Sequence, residues 1–156
     1  MNSEKGELGY RPGVVAVFIN DDGKLLVGRR SGMDAWQFPQ GGVDLGESFD
    51  EALYREALEE IGSKEFEVVR KSESLIRYDF PEGMAGKLAE SYCGQKQAWY
   101  LCKFNPDHGP DLEKAVDDEF DALSWVKPAE ALEGIIEWKR SAYLMGLEQL
   151  GLLEKV

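Results

Sequence analysis

Three glutamates of this chain share one side of a predicted helix. Glu56, Glu59 and Glu60 lie in the stretch GGVDLGESFDEALYREALEEIGS, residues 41–63. At about 100° per helical residue they fall within an arc of about 100°. Like charges at this spacing repel by roughly 0.2–0.5 kcal/mol per pair, more when they are partly desolvated. Either a solvated acidic face or a hard divalent cation with oxygen ligands, such as Mg²⁺, would relieve that repulsion.

The helix that carries these glutamates has clear start and stop signals. Ser48 followed by Glu51 is a capping box, and Gly62 supplies the left-handed residue that commonly ends a helix. An apolar residue recurs every fourth position and predicts the buried stripe: Phe49, Leu53, Ala57 and Ile61. The sequence therefore fixes the orientation of the glutamates relative to the core.

Two observations favour a cation over a solvated face. The glutamates border the buried stripe instead of lying opposite it, and the paired glycines Gly41 and Gly42 lead the chain toward them. Glu47 and Arg55 can also form an ion pair across the first two turns of the helix. We therefore predict a metal site.

The spacing of these residues resembles the Nudix box. Gly41, Glu47, Arg55-Glu56, Glu59-Glu60 and Gly62 match it position by position. Ala57 and Ser63 depart from the family pattern, where larger aliphatic residues are usual, and both departures concern packing. The resemblance implies an α/β/α sandwich and hydrolysis of a nucleoside diphosphate linked to another moiety.

Composition is consistent with a small enzyme. The length of 156 residues predicts one domain, residues 1–156, that is large enough for a hydrophobic core. The sequence contains no run of about 18 apolar residues, so no membrane span is predicted. The first residues lack the apolar segment of a signal peptide, which favours the cytoplasm, where Cys93 and Cys102 would be free thiols. The net charge of −12 disfavours binding of long duplex nucleic acid.

The rest of the chain reads as strands with a few helices, which predicts an α+β fold with helices on both faces of a mixed sheet. Residues 14–19 predict a strand buried on both faces, and residues 24–27 its hairpin partner. Residues 82–92 have no clear period and are predicted to form a loop. The remaining predicted strands are residues 36–40, 66–70, 74–80, 98–104 and 123–126, and the predicted helices begin at Pro128 and near Trp138.

Several short strings narrow the resemblance to the RNA pyrophosphohydrolase branch, also described as dinucleoside polyphosphate hydrolases. They occur in the order GYRPGVVAV, WQFPQGG, LIRYDFP, GQKQAWY, EFDALSW and EWKR, over roughly residues 9–145. In EFDALSW, Ala122 and Leu123 replace the glycine and tryptophan usual in the branch, which bears on the position of Glu119.

The resemblance implies roles for individual residues. Glu56, Glu59, Glu60 and Glu119 would be the catalytic carboxylates and, with the carbonyl of Gly41, would hold Mg²⁺, with more than one ion and with Mn²⁺ as a possible substitute. Arg55 would orient Glu47, and Glu47 would support the carboxylate cluster without binding the metal directly. The substrate-binding residues would be Arg11, Arg30, Gln40, Tyr78, Gln95, Trp138 and Lys139.

The function implied is removal of pyrophosphate from the 5′-triphosphate end of RNA, leaving a 5′-monophosphate and initiating mRNA decay. Dinucleoside polyphosphates or free nucleoside triphosphates are alternative substrates. A catalytically silent nucleotide-binding regulator is disfavoured, because it would have no reason to keep mutually repelling carboxylates. Trp138 either stacks on a base or packs in the core, Arg30 is either a phosphate contact or surface charge, and the only histidine, His108, is predicted to be a solvated loop residue.

Overall fold

The computed structural model describes residues 8–153, which form two β-sheets and four α-helices. The elements in chain order are β1 Tyr10–Phe18, β2 Leu25–Arg30, β3 Trp36–Gln37, β4 Gln40–Gly42, α1 Phe49–Ile61, β5 Phe66–Lys71, β6 Ile76–Asp79, α2 Lys87–Ser91, β7 Gly94–Phe104, β8 Phe120–Val126, α3 Pro128–Glu133 and α4 Arg140–Gln149. Single 3₁₀ turns lie at Leu112–Lys114 and Glu137–Lys139. None of the described helices is both long and apolar enough to cross a membrane.

The larger sheet has β1 and β7 at its centre. Its order is β4-β1-β7-β5, and β6 pairs with the first part of β7, beyond the part that β5 uses. β1 and β7 are parallel, whereas the other pairs are antiparallel, so the sheet is mixed as predicted. The second sheet is antiparallel, with the order β3-β2-β8.

Alternating residues of the central strands form two separate cores. Val14 and Ala16 pack toward α1, whereas Val15 and Val17 pack toward α3 and α4. This is the alternation that a strand imposes on its side chains, and burial on both faces explains why β1 is an uninterrupted apolar run. Helices therefore cover both faces of the mixed sheet, which confirms the predicted fold class.

The predicted hairpin between β1 and β2 is wrong. The turn itself forms, with the Asn20 side chain accepting the backbone N–H groups of Asp22 and Lys24 at 3.0 and 2.9 Å. Beyond it, only Ile19 and Leu25 pair, and the two strands enter different sheets. The reason is that β1 already has β4 on one side and β7 on the other.

Two further boundaries differ from expectation. The segment 82–92, predicted to be a loop, contains α2, and its partly buried residues Met84, Leu88 and Tyr92 pack against the core. A helix of five residues is too short to show a hydrophobic period. The predicted strand at residues 36–40 is instead two short strands in different sheets, β3 and β4.

Candidate active site

Helix α1 is capped at both ends, which fixes the rotation of its glutamates. The Ser48 hydroxyl accepts the N–H of Glu51 at 3.0 Å, and the Glu51 carboxylate accepts the N–H of Ser48 at 3.0 Å. Gly62 ends the helix with a φ of 72°, a conformation that favours glycine. The predicted capping box and helix end are confirmed.

The glycine pair of β4 makes room for two side chains of opposite charge. A Cβ on Gly41 would overlap the carboxylate of Glu56, and a Cβ on Gly42 would overlap the guanidinium of Arg11. Successive strand residues point to opposite faces of a sheet. The two glycines therefore admit an acid on one face of the edge strand β4 and a base on the other.

Arg55 holds the acidic side together. Its Nε and Nη2 donate to the two oxygens of Glu47 at 2.7 and 2.9 Å, and Nη2 also donates to the Gly42 carbonyl at 2.8 Å. Its Nη1 lies 2.7 Å from Glu56 Oε1 and 3.3 Å from Glu59 Oε2. These hydrogen bonds lower the pKa of Glu47 to about 2 and raise that of Arg55. Glu47 and Arg55 form the predicted ion pair.

Glu60 is the most buried of the three helical glutamates. It is 4% exposed, and its Oε1 accepts the backbone N–H of Gln40 at 2.9 Å. Burial, opposed by that hydrogen bond and aided by the charges of the neighbouring carboxylates, raises the pKa of Glu60 to about 9. Burial also raises the pKa of Glu56, although Arg55 opposes that shift. The helix thus holds two carboxylates that are costly to ionise without a cation.

The loop before β8 brings further carboxylates to the same place. The carbonyl of Glu59 accepts the N–H groups of Val116 and Asp117 at 2.9 and 3.0 Å, which ties this loop to α1. Glu119 follows, with one carboxylate oxygen 3.5 Å from Nε of Arg30. The replacement of the usual glycine and tryptophan by Ala122 and Leu123 does not prevent Glu119 from reaching the site.

Aromatic side chains form the opposite end of the site. The ring of Trp138 lies 5.4 Å from that of Tyr78 and 6.3 Å from that of Phe80. Nζ of Lys139 lies 5.7 Å from the centre of the Tyr78 ring and 5.4 Å from that of Trp138. Burial, together with the nearby charge of Arg30, lowers the pKa of Lys139 to about 8.

These groups line one cleft of about 390 Å³. Its carboxylate end contains Glu56, Glu60 and Glu119, and its aromatic end contains Tyr78 and Trp138, with Lys139 against their rings. The lining residues are Arg11, Arg30, Gln37, Gln40, Gly41, Gly42, Glu56, Glu60, Tyr78, Phe80, Met84, Leu88, Gln95, Asp117, Glu119, Trp138 and Lys139.

The carboxylate end has the donors that a hard cation requires. All are oxygens, and Gly41 leaves the space in which Glu56 lies. Between residues 8 and 153, no three acidic, histidine or cysteine side chains are already gathered around a common point. Nη1 of Arg55 forms ion pairs with Glu56 and Glu59 at 2.7 and 3.3 Å. The oxygen donors of these residues therefore fit a divalent ion.

A family model for the NUDIX domain matches residues 9–145. The chain belongs to the Nudix family. Among curated relatives, an RNA pyrophosphohydrolase of Halorhodospira halophila is 39% identical over 91% of this chain and 80% of its own length. A second RNA pyrophosphohydrolase, from Marinomonas, is 37% identical over 91% of each chain.

Solved structures of Nudix hydrolases share the fold. The E. coli dihydroneopterin triphosphate pyrophosphohydrolase superposes with a TM-score of 0.64 at 18% identity, covering 86% of this chain and 94% of its own. A C. elegans Ap4A hydrolase superposes with a TM-score of 0.62 at 18% identity, covering 92% of this chain and 98% of its own. At these identities the likeness concerns the fold alone.

Most of the predicted site residues meet in the Nudix cleft. Those of the predicted set that do not line it are Glu47, Arg55 and Glu59. Glu47 is hydrogen bonded to Arg55, Arg55 contacts Glu56, and Glu59 is turned toward Arg55. The side chain of Gln40 is hydrogen bonded to Gln97 and Tyr143, so its amide already has protein partners.

Other residues of the Nudix cleft were missed from the sequence. Asp117 belongs to an acidic run and was not predicted to be a site residue. Its position two residues before Glu119 could have suggested that both side chains lie on the same side of the chain. Met84 and Leu88 come from the segment that was predicted to be a loop, where no sequence signal distinguished them. His108, by contrast, lines a different depression together with Lys64 and Lys114.

Proposed function

We propose that this Nudix enzyme is a Mg²⁺-dependent RNA 5′-pyrophosphohydrolase that converts a 5′-triphosphate end to a 5′-monophosphate and thereby initiates mRNA decay. One observation carries the proposal: a single cleft joins a carboxylate cluster to a basic and aromatic end across β4. The curated relatives named RNA pyrophosphohydrolase support the same substrate. Such a substrate implies a cytoplasmic enzyme.

The carboxylate end would hold the metal. Glu56, Glu59, Glu60 and Glu119, with the carbonyl of Gly41, would be its ligands, and more than one ion can be shared among four carboxylates. When bound, Mg²⁺ supplies charge neutralisation for the phosphates and activation of the attacking water. Arg55 would release Glu56 and Glu59 to the ion while keeping Glu47, to which it has two short hydrogen bonds.

The basic residues would hold the phosphate chain on the other side of β4. The guanidinium of Arg11 lies on Gly42, directly across the strand from the position of Glu56 at Gly41. Arg30 would exchange Glu119 for a phosphate oxygen, because their separation of 3.5 Å at a half-exposed site makes a weak ion pair. Water would attack a phosphorus of the 5′-triphosphate, and the phosphoanhydride bond would break to release pyrophosphate.

The aromatic end would receive the nucleotides of the RNA. Trp138 lines the cleft while packing against Tyr78 and Phe80, so one ring can serve both the core and a base. Stacking of a base on an aromatic side chain is worth roughly 1–3 kcal/mol. Lys139, beside it, would contact a connecting phosphate or a base edge.

The test is a side-by-side incubation of RNA carrying a 5′-triphosphate, diadenosine tetraphosphate and a free nucleoside triphosphate, with identification of every product. We expect RNA with a 5′-monophosphate and pyrophosphate as the preferred products, and loss of most activity in Glu56→Gln. Glu67→Gln, at an exposed strand position, is the matched control and should retain activity. Faster turnover of diadenosine tetraphosphate than of RNA would instead assign a dinucleoside polyphosphate hydrolase.

A further inference from the structure

A tyrosine of the last helix reaches the chain just before the glycine pair. Tyr143 on α4 is 2% exposed, and its Oη accepts the backbone N–H of Phe38 at 3.1 Å and Nε2 of Gln40 at 3.2 Å. It therefore contacts both residues that flank Pro39, at the point where the chain passes from β3 to β4. Tyr143 does not line the cleft.

The side chain of Gln40 is held at its other end as well. Nε2 of Gln97 on β7 donates to Oε1 of Gln40 at 3.1 Å, and Gln97 is 1% exposed. Both ends of the Gln40 amide are thus fixed by buried groups from distant parts of the chain. Buried polar networks of this kind restrict their members to one arrangement.

The Tyr143 ring has little freedom to move. It stacks on Phe38 at a centroid distance of 5.0 Å and 14° between planes, and meets the edge of Trp99 at 5.2 Å and 88°. One turn further along α4, a Cβ on Gly146 would overlap the Trp99 ring, so the helix lies directly against it. The hydroxyl is accordingly held by packing as well as by hydrogen bonds.

The network ends at a candidate metal ligand. The backbone N–H of Gln40 donates to Oε1 of Glu60 at 2.9 Å, and Gly41 is the next residue. We propose that Tyr143, acting through Gln40, is a positioning residue for the metal site: it fixes the backbone of residues 38–41 so that Gln40 orients the Glu60 carboxylate. This inference rests on the proposed role of Glu60 and Gly41 as metal ligands.

The test compares two tyrosines that lose the same atom. Tyr143→Phe removes the hydroxyl that accepts from Phe38 and Gln40. Tyr100→Phe is the matched control, because Tyr100 is 1% exposed and its hydroxyl donates to Asp50 at 2.6 Å, away from the cleft. For each variant we would measure Mg²⁺ affinity by calorimetry, amide hydrogen exchange, and the melting temperature without metal.

We expect Tyr143→Phe to weaken Mg²⁺ binding about tenfold, since supporting hydrogen bonds to metal ligands typically contribute factors of 10–100. The amides of Phe38 and Gln40 should exchange faster, and Tyr100→Phe should leave both measurements unchanged. Gln97→Leu, which frees the other end of the Gln40 amide, should also weaken Mg²⁺ binding and provides a second variant if Tyr143→Phe fails to fold.

Two results would overturn the inference: Mg²⁺ affinity within twofold of the wild type in Tyr143→Phe and Gln97→Leu, or an equal loss in Tyr100→Phe. Glu60→Gln separates this failure from failure of the proposed function. If Glu60→Gln weakens Mg²⁺ binding and the two network variants do not, only the positioning role is wrong. If Glu60→Gln leaves Mg²⁺ affinity unchanged, the proposed metal site itself is wrong.

Discussion

Replacing Glu60 by glutamine should stabilise the metal-free protein. An exposed carboxyl has its ordinary pKa of 4.5, whereas burial raises that of Glu60 to about 9. At pH 7 the folded chain must therefore keep a proton that the unfolded chain releases. At about 1.36 kcal/mol per pH unit, this lowers the free energy of unfolding by about 3 kcal/mol. Glutamine is never ionised, and its amide oxygen can still accept the N–H of Gln40.

The gain should be smaller than the full electrostatic cost. The new amide group loses up to about 1–3 kcal/mol if it finds no partner, although the Glu56 carboxylate is nearby. A net stabilisation of up to about 2 kcal/mol then remains, which corresponds to an increase of up to roughly 4–8 °C in melting temperature for a chain of this size. Thermal unfolding of Glu60→Gln and wild type in a chelating buffer would measure it, with exposed Glu67→Gln as the unchanged control.

The pH dependence of the stability difference tests whether ionisation of the buried Glu60 carboxyl causes it. Because the folded-state pKa of Glu60 is raised, the folded chain binds more protons than the unfolded chain between pH 4.5 and about 9, so the penalty grows as pH rises through that window. The stability of Glu60→Gln relative to wild type should therefore be about 4 kcal/mol more favourable at pH 8 than at pH 5. Mg²⁺ should reverse the order, since it stabilises only the form that binds it. A lower melting temperature for Glu60→Gln without metal at pH 8, or a difference independent of pH, would refute this reasoning.

Three further variants probe the other side of the cleft. Gly42→Ala should displace the Arg11 guanidinium and raise KM for RNA about tenfold or more, because a charge-assisted hydrogen bond is lost. Gly109→Ala is the control and should leave KM unchanged, since there is open space for its Cβ. Equal KM values in the two variants would exclude a phosphate contact by Arg11. Trp138→Leu should lower kcat/KM on triphosphate RNA about tenfold to a hundredfold while hardly changing hydrolysis of a free nucleoside triphosphate. Equal losses on both substrates would indicate that the Trp138 ring only packs in the core and does not stack on a base. Because the pKa of Lys139 is lowered to about 8, its positive charge is lost as pH rises through that value, and KM should increase above pH 8. This increase should disappear in Lys139→Arg, since arginine stays charged. Identical dependence of KM on pH in the two proteins would show that Lys139 does not bind phosphate.

The parts of the site that could be predicted are those built by local interactions. The capping box, the end of α1 at Gly62 and the clustering of its glutamates all follow from spacings of three to eight residues. Glu119 could be placed only through the resemblance of its surrounding string, because nothing local to it specifies its distance from α1. The structure shows that backbone hydrogen bonds to the Glu59 carbonyl establish that distance.

The parts that could not be predicted depend on contacts between distant residues. The separation of β1 and β2 into different sheets is decided by β7, which pairs with β1 along its whole length. Gln40 is hydrogen bonded to Gln97 and Tyr143, which lie 57 and 103 positions away in the sequence, and no local pattern indicates a contact over such a separation. Ala57 and Ser63, whose packing was in question, are 1% and 7% exposed, so the core accommodates both.

The two glycines of the box acquire separate purposes from their place on an edge strand. Successive residues of a strand point to opposite faces of the sheet, so side chains at positions 41 and 42 would occupy different faces of β4. β4 is the edge strand of its sheet, and Gly41 and Gly42 leave space for Glu56 and Arg11, which also line the cleft. A phosphate chain crossing at this point would have carboxylate-held cations on one side and a guanidinium on the other. The two glycines thus let the Glu56 carboxylate and the Arg11 guanidinium approach one substrate from different faces, apart from each other. Larger residues at positions 41 and 42 would occupy the space of both side chains.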